Sequence, residues 1–285
     1  MDNPDYIIVG AGVFGVSAAL HLARSQPTKT ILLVDRKRPN PGAASSDYNK
    51  IIRADYPDAV YTSLALRAID AWKGDPVFSP YFHQPGLLLV EEMGMGRAAL
   101  ECFRAVGHDS GAEILTLEAA RERFPTLKEA HWDGGKEEAY YNPESGWGEA
   151  DGALASATRA AEEAGVLFVE AAVEGLELGA DKTCKGVRVK SEDGQGSRSI
   201  YAKEKTILSI GAHIAKFLAD TDPQWNELQV DGRMVAAAAV QCAATYDPEE
   251  EHKFEGMPCH LLGMWHTHGT YTVKREKRER LLAET

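Results

Sequence analysis

Cysteine is scarce in this chain and never paired. Cys102, Cys184, Cys242 and Cys259 lie far apart with no CxxC. Neither a disulfide framework nor a zinc knuckle is expected, and a reducing compartment fits. Positive charge is also in deficit: 43 acidic residues stand against 31 Lys and Arg, a net charge of −12. That balance argues against nucleic acid or an anionic membrane as the main partner. No long uninterrupted apolar run is present. Residues 6–23 come nearest, uncharged apart from His21, but Gly10, Gly12 and Gly15 interrupt them. The acidic start, Met1-Asp2-Asn3-Pro4-Asp5, is wrong for a secretory leader. The last residues, Leu282-Ala283-Glu284-Thr285, are not a peroxisomal tripeptide. There is no internal repeat and no low-complexity tract. The expectation is a cytoplasmic or organellar protein. Its 285 residues, 44% hydrophobic and 26% charged, suit one large domain or two interwoven ones.

What is present is organised around the first thirty-five residues. A short apolar run, residues 6–9, leads into Gly10-Ala11-Gly12-Val13-Phe14-Gly15. Residues 16–23 then place Val16, Ala19, Leu20 and Ala23 on one helical face. After a turn at Gln26-Pro27-Thr28, a second apolar run at 31–34 ends on Asp35, 20 residues beyond Gly15. Gly10 permits a tight strand-to-helix turn, Gly12 removes a Cβ from the path of a pyrophosphate, and Gly15 lets the helix pack on the strand. The helix start offers open N–H groups and a positive dipole end to phosphates. Asp35 can accept hydrogen bonds from a ribose diol and disfavours a 2′-phosphate. The strand before, the helix after and the acidic residue downstream supply the context that a bare GxGxxG lacks. A dinucleotide site follows; FAD and NAD both remain open on these residues alone.

Further along, apolar spacing predicts helices over 61–72, 97–106, 152–164 and 213–218. Thr116 reads as the N-cap of a helix that stops before Pro125, and Gly165 as a helix C-cap. Strands are expected at 86–90, 111–115, 139–143, 166–169, 172–178, 186–190 and 206–212, with a polar excursion at 193–197. The pieces at 152–169 and 206–212 would complete the sheet begun at 6–9. Residues 86–141 would form a separate layer.

Four stretches carry a family resemblance. They are the opening fingerprint with Asp35-Arg36; residues 44–56, Ala-Ser-Ser-Asp-Tyr-Asn-Lys-Ile-Ile-Arg-Ala-Asp-Tyr; Asn142-Pro143-Glu144-Ser145-Gly146-Trp147; and Ile207-Leu208-Ser209-Ile210-Gly211-Ala212. Together the chain resembles the FAD-dependent amine oxidases that include monomeric sarcosine oxidase, the fungal fructosyl amine oxidases (amadoriases) and the saccharopine oxidases. The resemblance implies an α/β fold with a Rossmann-like FAD-binding domain of the two-dinucleotide type and an interleaved α+β substrate domain. It implies FAD rather than NAD. The FAD-binding domain would take residues 1–85 and 146–218, and an incomplete substrate domain 86–145 and 219–262. Gly10, Gly12, Val13, Phe14, Gly15 and Asp35 would hold the pyrophosphate and adenosine ribose. Arg36, Ser45 and Ser46 would line the cofactor path, Val173 would meet the adenine through its backbone, and Ser209, Gly211 and Ala212 would complete the site. Lys50 matches the basic residue set against the flavin ring, and Arg53 the one that reaches the substrate carboxylate. A positive charge there stabilises reduced flavin and superoxide. The reaction implied is oxidation of the C–N bond of a secondary amine of an amino acid by O2, giving an imine and hydrogen peroxide. The partners implied are that small amine and O2, and the family's common form is a monomer.

The resemblance fades after about Met257. Relatives continue with substrate-domain strands, a flavin-linking cysteine and a second lysine that have no counterpart here, so a truncated product is expected. A divergent short form is the alternative, and a peroxisomal location stays open if a C-terminal signal was lost. Residues 263–285 read as a divergent basic tail ending in the Lys274–Arg280 charge run, a solvated helix or disordered end. Cys259, His260, His266 and His268 show no regular ligand spacing, so no metal is expected. His83 and His108 read as structural histidines, and Trp72, Trp132 and Trp147 as packing anchors. The competing classes are an NAD-dependent dehydrogenase and a catalytically inactive FAD-binding fragment.

Overall fold

The structure, a computed structural model, describes residues 3–38, 40–90, 94–130, 132, 138–190, 196–230, 232–237 and 247–262. The expectations for Cys242, most of the 193–197 excursion, His266, His268 and the basic tail lie outside them.

In chain order the opening elements are β1 Tyr6–Val9, α1 Val13–Ser25, β2 Ile31–Asp35 and β3 Lys50–Ile52. There follow α2 Ala59–Gly74, β4 Phe82–His83, β5 Leu87–Val90, α3 Met95–Ala105, β6 Glu113–Thr116, α4 Leu117–Arg123, β7 Glu138–Asn142 and β8 Gly146–Gly148. The remainder comprises α5 Ala150–Glu163, β9 Leu167–Glu170, β10 Val173–Leu178, β11 Cys184–Lys190, β12 Ser197–Tyr201, β13 Lys205–Leu208, α6 Ile214–Thr221 and β14 Cys259–Leu262. The chain divides into two compact units, Met1–Asp47 with Ala153–Cys242, and Tyr48–Gly152 with Ala243–Thr285.

The first unit is built on a parallel sheet of order β13-β1-β2-β9. Ile7, Val9, Leu32 and Val34 face an antiparallel meander, β10-β11-β12, and bury against its Val187, Val189 and Ile200. Alternation turns Ile8 and Leu33 to the opposite face, where α1 packs with Val16, Ala19, Leu20 and Ala23. A parallel sheet covered on both faces explains why its strands read as continuous apolar runs.

The second unit holds a mixed sheet, β14-β5-β7-β6. One face carries Leu87, Leu89 and Tyr140 against Ile69, Ala99, Phe103 and Trp147. The other carries Leu88, Val90, Ala139 and Tyr141 against Ala120, Phe124, Leu127 and Trp132. A smaller antiparallel sheet, β3-β8-β4, ties residues 50–52 to 146–148.

The expected sheet pieces join as anticipated, and residues in 86–141 form their own sheet. Two local expectations change, and β8 stands where no strand was expected. The strand predicted over 206–212 ends at Leu208, because Gly211–His213 closes a 3-10 turn before α6. β12 replaces part of the expected polar stretch; of its residues only Ile200 is buried, so its sequence carries little apolar signal. β8 is a Gly-Trp-Gly strand, a composition that strands generally avoid. Its glycines are required by contact: a Cβ on Gly146 would lie 2.0 Å from the His83 carbonyl oxygen, and one on Gly148 2.9 Å from the Trp72 ring.

Candidate functional site

In the first unit every strand of the main sheet runs the same way, so all four carboxyl ends share one edge. Gly10 follows β1, Asp35 ends β2, Ala171 follows β9 and Ser209 follows β13. Open parallel sheets bind ligands in the crevice at this edge.

The local geometry is set by glycine. Gly10 adopts φ +100°, and a Cβ there would meet the Ser209 carbonyl oxygen at 2.4 Å. A Cβ on Gly15 would sit 1.7 Å from the Gly10 carbonyl oxygen, so α1 can start this close to β1 only with glycine. Around Gly12 the neighbours within 4 Å are Ser45 Oγ at 3.0 Å and Ser45 Cβ at 3.8 Å. Space beside its backbone is limited by one small side chain. Val13 and Phe14 are 55% and 81% exposed at the helix start.

The N-terminus of α1 has Gly12 as N-cap, no side-chain cap from that residue and no acidic residue in its first turn. Ser45, 32 residues on, reaches back: the Val13 N–H donates to its Oγ at 2.9 Å. A hydroxyl oxygen thus sits where the helix dipole favours negative charge. Asp35 joins the turn to the strand. Its Oδ2 accepts from the Ala11 N–H at 2.7 Å, while Oδ1 accepts from the Arg36 N–H at 2.6 Å and Asn40 Nδ2 at 3.3 Å. A carboxylate offers about four acceptor positions, so capacity for a hydroxyl donor remains, and the long Asn40 bond is the one to yield. Arg36 Nη2 lies 3.3 Å from His213 Nε2, linking the loop after β2 to the turn after β13. Ala171 donates to the Asp35 carbonyl at 2.8 Å, which brings the start of β10 and Val173 beside the same edge. Gly211 takes φ +56°, and it and Ala212 are exposed. Ser46 is half-buried in the loop after Ser45. Donor set, open glycine backbone and spare carboxylate capacity fit the adenosine and pyrophosphate of a dinucleotide.

Lys50 and Arg53 belong to the second unit. Lys50 is exposed in β3 and pairs in register with Gly148. Arg53 is half-buried, its Nη1 donates to the Asp55 carbonyl, and its Cζ stands 4.6 Å above the Tyr56 ring. Directly beneath lies a buried cluster that the sequence did not single out. Asp55 is 2% exposed, and its carboxylate accepts from the Tyr140 hydroxyl, from Asn142 Nδ2 at 2.7 Å and from Ser145 Oγ at 2.7 Å. Burial, then the Asp55 charge, pushes the Tyr140 hydroxyl pKa far up, so it stays a donor. This carboxylate joins the stretch 44–56 to the stretch 142–147 through Asn142 and Ser145.

His83, His108, Trp132 and Trp147 each have a partner. His83 stacks on Trp147 at 4.0 Å and meets the buried Glu149 at 2.7 Å; His108 meets Glu144 at 2.7 Å. Trp132 donates to His260 Nε2 at 3.1 Å. Burial raises the Cys259 thiol to about 12, so it remains a neutral core side chain.

A parallel sheet covered on both faces, with a glycine turn at its carboxyl edge, is the α/β architecture that binds dinucleotides. The profile of the family "FAD dependent oxidoreductase" matches residues 5–285, and the chain belongs to that family. It is 29% identical over 227 residues to the L-saccharopine oxidase of Schizosaccharomyces pombe, covering 74% of this chain and 52% of the relative. Among solved structures it is similar to fructosamine oxidase (Amadoriase II) of Aspergillus fumigatus, at 31% identity and TM-score 0.58 over 75% of this chain and 50% of that one. An Amadoriase I mutant from Aspergillus fumigatus matches at 26% identity and TM-score 0.65 over 93% of this chain and 59% of that one. The chain spans about half the length of the curated relatives it matches. Among the described residues no helix is long and apolar enough to cross a membrane.

Proposed function

We propose that this chain binds FAD and serves an amine oxidase that acts on the C–N bond of a secondary amine carried by an amino acid. The observation that carries this is the carboxyl edge of the parallel sheet, where Gly10, Gly12, the α1 N-terminus and Asp35 form one dinucleotide cradle. Family membership supports FAD as the dinucleotide. The names of its relatives support saccharopine-like and fructosyl amines as the first substrates to try.

The backbone of Gly10 to Gly15 would hold the pyrophosphate at the helix start, and Ser45, whose Oγ accepts from the Val13 N–H, would offer its own hydroxyl hydrogen to a phosphate oxygen. Asp35 accepts from the adenosine ribose. Ser46, Arg36, Val173, Ser209, Gly211 and Ala212 line the same edge, and Lys50 contributes a positive charge on the flavin side. Arg53 binds the substrate carboxylate through its guanidinium and so orients the carbon next to nitrogen, the step from which much of the rate comes. A bound FAD would supply the hydride acceptor for that carbon and the route of the electrons to O2. The imine leaves to hydrolyse in water.

Purified protein should be yellow with flavin absorbance. Anaerobic mixing with sarcosine, fructosyl-valine, saccharopine and pipecolate should bleach it with at least one. No bleaching across that panel and other secondary amines would overturn the reading. Colourless protein with NAD-dependent turnover would replace it.

A further inference from the structure

We propose that Asp55 is a positioning residue whose buried carboxylate fixes the main-chain carbonyl that holds the Arg53 guanidinium. The inference rests on the reading of Arg53 as the group that takes the substrate carboxylate.

Residues 53–56 form a tight bend, with the Tyr56 N–H donating to the Ala54 carbonyl at 3.0 Å. Both ends of the Arg53 side chain's environment come from this bend. The Asp55 carbonyl accepts from Nη1, and the Tyr56 ring lies under the guanidinium plane. The bend runs from half-buried Arg53 through buried Ala54 and Asp55 to half-buried Tyr56; Ala54 packs in the core and the Thr62 hydroxyl donates to the Tyr56 carbonyl at 3.2 Å. Its buried polar anchor is the Asp55 side chain, held by three donors from the segment 140–145. Tyr140, Asn142 and Ser145 are each 2% exposed or less, so water does not compete for these bonds.

A buried carboxylate is a costly way to fill space; an apolar side chain of similar volume is generally no less stable. What the carboxylate adds is direction. Its two oxygens accept from different residues, so rotation of the side chain breaks at least one bond. Charge-assisted bonds of this kind are about twice as strong as neutral ones. The main-chain carbonyl of the same residue is thereby held, and with it one of the five guanidinium donors. The stack on Tyr56 sets the plane. A paired edge of the fork is left for bidentate contact with a carboxylate, a geometry that Lys cannot reproduce.

The test uses Asp55→Asn, which keeps size but turns one acceptor into a donor facing donors. KM for a carboxylate-bearing amine should rise roughly tenfold or more and kcat should fall with it as the reacting carbon loses its orientation, while flavin content is little changed. The amide analogue of the same substrate, which lacks the carboxylate, should show no such difference between Asp55→Asn and the unaltered chain. A second readout needs no turnover: modification of Arg53 by phenylglyoxal, followed by peptide mass spectrometry, should quicken severalfold when the anchor is lost. Tyr140→Phe and Ser145→Ala each remove one donor and should give smaller shifts in the same direction, which keeps the test intact if Asp55→Asn does not fold. Unchanged KM and unchanged labelling in these variants would overturn the proposal. Unchanged KM in Arg53→Met would instead overturn the role given to Arg53, while the labelling rates still report whether Asp55 positions it.

Discussion

At Gly10 a backbone requirement and a functional one coincide. Its φ of +100° is strained for any side chain, and the Ser209 oxygen stands 2.4 Å from where a Cβ would go. Gly10→Ala should lose about 2 kcal/mol or more of unfolding free energy, read by urea denaturation, and should release flavin as the turn shifts. Ser45→Ala is milder. It removes a cap from an exposed N–H and one phosphate donor, and equilibrium dialysis should show FAD affinity falling a fewfold with the melting point almost unchanged. Asp5 tests the opposite edge of the sheet. The Thr30 N–H and then its hydroxyl donate to the carboxylate and hold its pKa below the usual value. A depressed carboxylate contributes stability that is complete above the unfolded pKa, about 4, and is lost as pH falls through the folded one. Glu204 behaves alike, its pKa lowered chiefly by Lys29. Denaturation midpoints should therefore drop as pH falls below about 4, and Asp5→Asn should flatten that drop. A slope unchanged in Asp5→Asn would show that the Thr30 bonds carry no pH-linked stability.

Elements whose stabilising contacts lie along the local chain were legible from sequence. The β1-α1-β2 unit is one, since its periodicity, glycines and Asp35 all lie within a short stretch. The Thr116 cap is another: its Oγ1 accepts from the Ala119 N–H at 3.1 Å, three residues on. Gly165 at φ +95° ends α5 as a glycine C-cap does. Illegible elements depend on distant partners. β8 is a strand because it pairs with β3 and β4, and its glycines are needed because His83 and Trp72, neither near it in sequence, leave no room for a Cβ. Asp55 looked like one charge in a motif, and its meaning lies 85 to 90 residues away. α2 shows how strongly a local signal can act. Asp58 Oδ1 accepts from the Val60 and Tyr61 amides at 2.9 and 3.1 Å, just after the bend that carries Arg53. Asp58→Ala should cost about 1 kcal/mol of unfolding free energy in chemical denaturation. If the cap also steadies the bend, phenylglyoxal labelling of Arg53 should quicken as well.

At the scale of the molecule, the division into two units separates two kinds of evidence for function. The residues assigned to adenosine and pyrophosphate all belong to the first unit, and Lys50 and Arg53 to the second. Cofactor binding can therefore be read independently of turnover. Added FAD should stabilise the chain by about 2.7 kcal/mol at a concentration one hundred times its Kd. Hydrogen exchange should slow at the amides of residues 10–15, 35–36 and 209–212, at the carboxyl edge of the parallel sheet. The Asp5–Thr30 edge should be no more protected than global stabilisation requires. ADP carries the same adenosine and pyrophosphate, so it should protect residues 10–15 and 35–36 at higher concentration. NAD shares those groups too, and the comparison of affinities decides between the cofactors. Tighter protection by FAD than by NAD and ADP means that contacts beyond the pyrophosphate favour the flavin. Equal protection by all three would reduce the site to its opening turn, and tighter protection by NAD would overturn the flavin assignment.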